Sequence, residues 1–159
     1  MTNVSFFEEG SRLLTPMAFE FVLDGELKRA LRSQNFFTLV LIETSRDGER
    51  MDVSTPDGTV KRLAEIIGKE VRDTDRIGRL EDGVLGLVLI DADFEHSTRV
   101  IERLISRIQN YEFPPAMRID MGAACYPTHA VDAGSLKHQA LTHPVVNWRA
   151  SAGSSADQN

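Results

Sequence analysis

Cysteine is almost absent from this sequence, since Cys125 is the single one among 159 residues. One thiol cannot form an internal disulfide, and it cannot supply a thiolate cluster for zinc. Long hydrophobic runs are also absent, because no apolar stretch approaches the roughly 20 residues that span a bilayer. The first ten residues are acidic and show no signal-peptide pattern. We therefore expect a soluble, cytoplasmic protein that is not inserted into a membrane.

Positive charge is in the minority: 18 Lys and Arg residues stand against 24 Asp and Glu residues, which gives a net charge of −6. This sign argues against a nucleic-acid-coating role, because phosphate binding needs a cationic face. It is compatible with a local basic pocket for a small anionic ligand. Hydrophobic content of 42% and charged content of 26% are close to globular averages. The length suits one domain with an ordinary core.

Apolar residues that recur at spacings of three and four predict three helices. The first covers about residues 16–33 and begins at Pro16, with Thr15 as its N-cap. The second covers about 58–71, and the third carries the apolar residues between Val100 and Ile108. Each of these helices has one face suited to packing on a sheet.

Four segments have strand patterns. The first is a nearly continuous apolar run, typical of a central buried strand. The next two flank an Asp-Gly pair, which is a hairpin signal. The last alternates apolar residues with others, as a half-buried strand does. In chain order these segments are 36–43, 76–80, 84–90 and 117–125.

The resulting order is a helix followed by βαββαβ, which predicts an α+β fold with a ferredoxin-like core. The helices of such a core pack on one face of an antiparallel sheet, and with the first helix added we expect helices packed around the central sheet. We interpret the polar stretch Thr44–Gly58 as a loop. The domain is predicted to cover 12–148, with an N-terminal extension at 1–11 and a disordered tail at 149–159.

Over about residues 12–141 the chain resembles a GGDEF domain, the family of diguanylate cyclases. The most specific part is 63–90, LAEIIGKEVRDTDRIGRLEDGVLGLVLI. It is similar to the family's helix, its Arg-x-x-Asp element, an arginine (Arg79) two residues before the signature turn, and the following strand. Leu14-Thr15 and Phe19 resemble remnants of the opening helix motif, and 121–123 resembles the final strand. The other interpretation is a βαββαβ domain without nucleotide chemistry.

The signature turn departs from the family in this chain, where it reads Glu81-Asp82-Gly83-Val84-Leu85. The family uses two glycines there to approach the substrate, and then two acidic residues, the second of which helps to hold catalytic metals. Val84 stands at that second acidic position. An isopropyl group cannot coordinate Mg²⁺, which requires oxygen ligands. The resemblance therefore implies a degenerate cyclase that is not an enzyme, with no catalytic residues, no metal and no cofactor.

Other family positions are altered as well. Glu43 stands where the family has a metal-binding Asp, and it is either one surviving ligand or a solvated residue at a strand end. The guanine-reading asparagine after this strand is missing, because 45–49 reads SRDGE. Asp57 aligns with a second guanine-reading residue, although Asp in Pro-Asp-Gly is usual turn chemistry. Phosphate-holding Lys and Arg residues are not recognisable at 143–147.

One family feature is retained. Arg72 and Asp75 fit the Arg-x-x-Asp site that in the family binds the product, cyclic di-GMP, and Arg103 falls where the family supplies a second arginine. A guanidinium can bond guanine O6 and N7 in a bidentate manner and can stack on a base. Two arginines also offset phosphate charge. The alternative for the Arg72–Asp75 pair is an ion pair at a helix end.

The leading hypothesis is a receptor for cyclic di-GMP that uses Arg72, Asp75 and Arg103. The second is a ligand-independent module that regulates a protein partner or self-associates. The third is a residual cyclase that uses Glu43.

Overall fold

The computed structural model describes residues 7–8, 12–51, 58–80, 83–111, 117–142 and 146–151. Its helices and strands follow in chain order as α1 (Pro16–Ser33), β1 (Phe37–Arg46), β2 (Glu49–Arg50), α2 (Thr59–Glu70), β3 (Arg76–Arg79), β4 (Leu85–Ile90), α3 (Phe94–Gln109), β5 (Met117–Tyr126), α4 (Ala133–Thr142) and β6 (Val146–Ser151). None of the helices in this part of the chain has the length and hydropathy that crossing a bilayer requires.

The strands form one antiparallel sheet in the order β3-β4-β1-β5-β6, with the short β2 paired to β1. Strand β1 is central, because Phe37–Ile42 pairs with β4 on one side and the whole strand pairs with β5 on the other. Residues 37–42 are all buried, which agrees with the continuous apolar run in the sequence. The predicted α+β, ferredoxin-like fold is confirmed.

Helices cover both faces of the sheet. One face packs against α2 and α3 through a core that includes Val40, Ile42, Leu63, Ile67 and Leu104. The opposite core includes Phe19, Leu23, Leu39, Leu41 and Leu136, from α1, β1 and α4. As predicted, α2 and α3, the helices of the βαββαβ core, share one face, and α1 and α4 complete the helices around the sheet. Since β1 is apolar on both sides, its second face also needs a cover.

Two segments contain more regular structure than the sequence indicated. Strand β1 extends to Arg46 and turns at Asp47-Gly48, both with positive φ, into β2, so the predicted loop 44–58 begins as a hairpin. Residues 52–57 lie outside the described part. Near the C-terminus, α4 and β6 follow β5. Strand β6 ends at Ser151, so the predicted domain boundary at 148 falls inside a strand.

The start of the domain lies on the edge strand β3. The Leu14 backbone N–H donates to the Ile77 carbonyl at 2.9 Å, and the Arg79 N–H donates to the Leu14 carbonyl at 3.1 Å. Glu8, within the predicted N-terminal extension, forms an ion pair with Arg79 at 2.7 Å. At least this part of the extension therefore contacts the domain.

Helix α1 packs closely on the β3–β4 hairpin because two glycines face each other there. Gly78 and Gly86 are register partners. A Cβ atom on Gly78 would lie 2.7 Å from the Phe19 ring, and one on Gly86 would lie 2.5 Å from it. The fully buried Phe19 ring thus occupies the space that two side chains would otherwise fill.

Candidate ligand-binding site

The corner between α2 and β3, residues 72–75, is held by the carboxylate of Asp75. One oxygen, Oδ2, accepts the backbone N–H of Arg72 at 3.0 Å, and the other, Oδ1, accepts that of Ile90 at 3.0 Å. The Asp75 N–H donates in return to the Arg72 carbonyl at 3.0 Å. The Asp75 side chain is only 3% exposed. This carboxylate therefore fixes the corner against the end of β4, as a buried charge needs hydrogen-bond donors around it.

Arg72 projects from this corner with its side chain 61% exposed. Its Nη2 donates to the Ile90 carbonyl and lies 3.6 Å from Asp75 Oδ1. These two contacts orient one side of the guanidinium. Most of the Arg72 side chain is exposed to solvent, where a planar or anionic group could reach it.

Arg103 reaches the same region from α3. Its Nη2 donates to the Glu70 carbonyl at 3.4 Å, and its Nε lies 3.9 Å from Glu70 Oε1. The Arg103 side chain is 55% exposed. Of the three residues named from the sequence, Arg72 and Asp75 are in direct contact. Arg103 lies at Glu70, which is two residues before Arg72 and ends α2.

Two further residues join this cluster. Glu70 is 15% exposed, and its Oε2 lies 2.8 Å from Nε of Arg107, one helical turn after Arg103. In the sequence, Arg99, Arg103 and Arg107 recur every four residues and place Arg107 on the same face of α3 as Arg103. Nothing in the sequence singled out Glu70, because its contacts join residues more than thirty positions apart.

The described part of the signature turn, 83–85, lies at the other end of the β3–β4 hairpin and is buried. The Gly83 N–H donates to the Leu80 carbonyl at 3.0 Å, and the Leu80 N–H donates to the Val84 carbonyl at 2.8 Å. Val84 is 1% exposed and belongs to the core under α1. Glu81 and Asp82 lie outside the described residues. Where the resemblance expects a metal-facing carboxylate, the chain has a buried apolar side chain.

Glu43 is paired with an arginine. Its Oε2 lies 2.8 Å from Nη2 of Arg50, which follows the β1–β2 turn. Asp120 is the register partner of Glu43 on β5, and its Oδ2 lies 3.5 Å from Nε of Arg118. Both carboxylates thus have a guanidinium beside them. Together with Val84, this donor set does not fit Mg²⁺, which requires several oxygen ligands in near-octahedral geometry.

The other positions considered from the sequence are possible metal ligands, Asp57, the segment 143–147 and Cys125. No group of three or more His, Cys, Asp or Glu side chains in the described ranges is arranged to hold a metal ion. Asp57 and residues 143–145 lie outside those ranges. Cys125 is fully buried, as its place in the strand pattern predicted, and burial raises the pKa of its thiol.

Comparison with known proteins gives matches among solved structures. No protein-family model matches the sequence, and neither does any curated protein. The GGDEF domain of YfiN from Pseudomonas aeruginosa superposes with a TM-score of 0.66 at 22% identity, over 80% of this chain and 85% of that one. The chain has the fold of GGDEF domains.

Two further GGDEF structures extend this likeness. The GGDEF domain of DgcB from Caulobacter crescentus, in complex with cyclic di-GMP, gives a TM-score of 0.69 at 13% identity and covers 88% of both chains. The diguanylate cyclase SiaD of P. aeruginosa, in complex with its activator SiaC, gives 0.71 at 15% identity, over 88% of this chain and 56% of that one. At these identities the likeness establishes the GGDEF fold.

Proposed function

We propose that this GGDEF-fold domain is a receptor for cyclic di-GMP and has no cyclase activity. The observation that carries the proposal is the buried Asp75 carboxylate, which fixes the 72–75 corner and leaves the Arg72 guanidinium exposed beside it. Arg103 supplies a second exposed guanidinium from α3. Asp75 acts in this proposal as a positioning residue, because both of its oxygens already accept backbone N–H groups.

The chemistry of the two arginines suits a cyclic dinucleotide. A guanidinium fork can donate to guanine O6 and N7 together, and its plane can stack on a purine. The two positive charges also attract the phosphates of the ligand in a protein that is acidic overall. By analogy with the family, we propose that the ligand binds as a stacked dimer. DgcB, a structural neighbour, has been crystallised with the same nucleotide.

Isothermal titration calorimetry with cyclic di-GMP tests this proposal. Arg72→Ala removes a charge-assisted bidentate contact, worth about 1.5–3 kcal/mol, and should weaken binding about tenfold to hundredfold. Arg103→Lys keeps the charge but loses the planar fork, so it should also weaken binding. Arg62→Ala is the matched control, because Arg62 is a similarly exposed arginine on α2 that pairs with Glu65.

Variants at the altered cyclase positions provide a second control. Glu43→Ala and Asp57→Ala should leave binding unchanged, because those positions belong to the altered cyclase site. Asp75→Ala should weaken binding and also lower stability, since it leaves two backbone N–H groups without their acceptor. An affinity that is unaffected by replacing both Arg72 and Arg103 with Ala, or no binding at all, would refute the receptor proposal.

Two contacts support the proposal that the domain has no cyclase activity. Val84 lies in the core under α1, and the Glu43 carboxylate pairs with Arg50. Phosphoryl transfer of this kind needs metal-held oxygens and positioned phosphates. Incubation with GTP and Mg²⁺, followed by chromatography, should yield no cyclic di-GMP. Metal-dependent product that is absent from heat-inactivated protein would contradict this expectation.

A protein-interaction module is the second candidate. Three large apolar side chains on α1, Met17, Phe21 and Leu31, are each about two-thirds exposed. Exposed apolar side chains of this size favour contact with another surface when they are close together. SiaD has been crystallised with a protein activator. A chain that fails to bind cyclic di-GMP would favour this candidate.

A further inference from the structure

Glu70, the last residue of α2, has a mostly buried carboxylate that lies between two arginines of α3. Glu70 Oε2 lies 2.8 Å from Nε of Arg107, and Oε1 lies 3.9 Å from Nε of Arg103. A glutamate at the C-terminal end of a helix is disfavoured by the helix dipole, which places negative partial charge there. The two arginines offset this cost. Glu70 is thus held mainly by Arg107 and only loosely by Arg103.

We propose that Glu70 competes with the phosphates of cyclic di-GMP for Arg103 and so sets the affinity of the site. This inference rests on the proposed function. In the structure, Arg103 is turned toward the Glu70 carboxylate and carbonyl. A bound phosphate must draw the guanidinium away from Glu70 and must also tolerate a carboxylate nearby. Removing the Glu70 charge removes both costs.

The same geometry explains why Glu70 does not prevent the ligand from binding Arg103. The Arg103 side chain is more than half exposed, and an ion pair at 3.9 Å in solvent contributes little. The closer pairing with Arg107 keeps Glu70 in place when Arg103 leaves. Arg103 is therefore free to exchange one anionic partner for another without unfolding the end of α2.

Calorimetry with cyclic di-GMP on the full chain tests the inference. Glu70→Gln should tighten binding about 1.5- to 5-fold, the range expected for one solvent-exposed charge contact. Glu20→Gln is the matched control: it removes the same charge on α1, across the sheet, where Glu20 pairs with Lys137. It should change the affinity little. Unchanged or weaker binding by Glu70→Gln would overturn the inference.

A double-mutant cycle separates competition for Arg103 from a general effect of charge. In an Arg103→Ala background, adding Glu70→Gln should give a smaller gain than in the unaltered chain, because only the repulsion between Glu70 and the phosphates is left to remove. If Glu70→Gln tightens binding in that background as much as it does in the unaltered chain, the inference is overturned. If the unaltered chain does not bind cyclic di-GMP at all, the proposed function fails and this inference fails with it. Binding that is weakened by Arg72→Ala but not tightened by Glu70→Gln defeats only the inference.

A second readout does not depend on affinity. The side-chain Nε–H resonances of Arg103 and Arg107 can be followed by NMR in the free and ligand-bound chain. Glu70→Gln should shift the Arg103 resonance in the free protein toward its position in the ligand-bound unaltered chain. An Arg103 resonance that is insensitive to Glu70→Gln would contradict the proposed contact.

Discussion

Restoring an acidic residue at Val84 tests whether the signature turn of this chain still faces an active site. Val84 is 1% exposed and packs in the core under α1. The methylenes of a glutamate replace most of the buried volume of the isopropyl group, so the carboxyl group is the main cost of Val84→Glu. A buried neutral polar group without a partner costs about 1–3 kcal/mol of unfolding free energy.

The loss of unfolding free energy in Val84→Glu must increase with pH, and proton linkage gives the direction of this change. Burial raises the pKa of an acid, so the folded state of Val84→Glu holds a proton that the unfolded state has already released above about pH 4.3. The unfolding free energy then falls by about 1.4 kcal/mol for each pH unit, until the folded carboxyl also ionises. Val84→Gln has nearly the same shape and does not titrate. It should show only the constant cost of a buried polar group.

Urea denaturation of both variants at pH 4.5, 5.5 and 6.5 measures this difference. Val84→Glu should lose about 2–3 kcal/mol relative to Val84→Gln across this range, through a lower midpoint with an unchanged slope. Two variants that stay within about 0.5 kcal/mol of each other at pH 6.5 would show that the carboxylate reaches solvent, and would refute the buried placement. Cyclase activity should not return in Val84→Glu, because Glu43 still pairs with Arg50 and the guanine-reading asparagine is still missing.

Two other predictions concern the fold. Gly86→Ala places a Cβ 2.5 Å from the Phe19 ring and should lower stability by about 1–3 kcal/mol, whereas adding Phe19→Leu should recover part of the loss in the same urea titration. Asp93 caps α3, and hydrogen bonds from the backbone and side chain of His96 lower its pKa. A lowered folded-state pKa contributes stability above the unfolded-state pKa and loses it as pH falls, so Asp93→Asn should flatten the acid side of the stability–pH curve. A curve with the same acid slope in both proteins would contradict the cap assignment.

Local patterns were sufficient for most of the sheet and for α1, α2 and α3, and α1 has the predicted bounds and the predicted N-cap, Thr15. The continuous apolar run of β1 predicted a strand buried on both sides, which is its place in the structure. Helix α4 was missed because only Leu136 and Ala140 are buried on it, so it lacks a clear apolar stripe. The β2 strand was missed because it is two exposed residues whose pairing depends on the turn before it.

From the sequence, the candidate site could be predicted only as certain residue types at certain separations along the chain. The sequence suggested Arg72, Asp75 and Arg103 through the resemblance, but it did not indicate the bond that Asp75 accepts from the Ile90 N–H. That bond depends on the end of β4 lying beside the corner, and register sets that proximity. The pairing of Glu70 with two arginines of α3 depends in the same way on helix packing.

The β3–β4 hairpin makes the signature turn and the 72–75 corner separable by experiment. The signature turn closes the hairpin at Val84, and the Arg72 corner contacts its open end at Ile90. Four to six strand residues lie between them, which is about 13–20 Å at the rise of an extended chain. Substitutions that far apart and without shared partners usually combine additively, within about 0.5 kcal/mol. In conditions where both proteins stay folded, Val84→Gln should therefore lower stability without changing the affinity for cyclic di-GMP, and Arg72→Ala should weaken that affinity equally with or without Val84→Gln. An affinity that falls in Val84→Gln would mean that the turn takes part in binding, and the ligand would then have to be placed at the signature turn and not at the 72–75 corner.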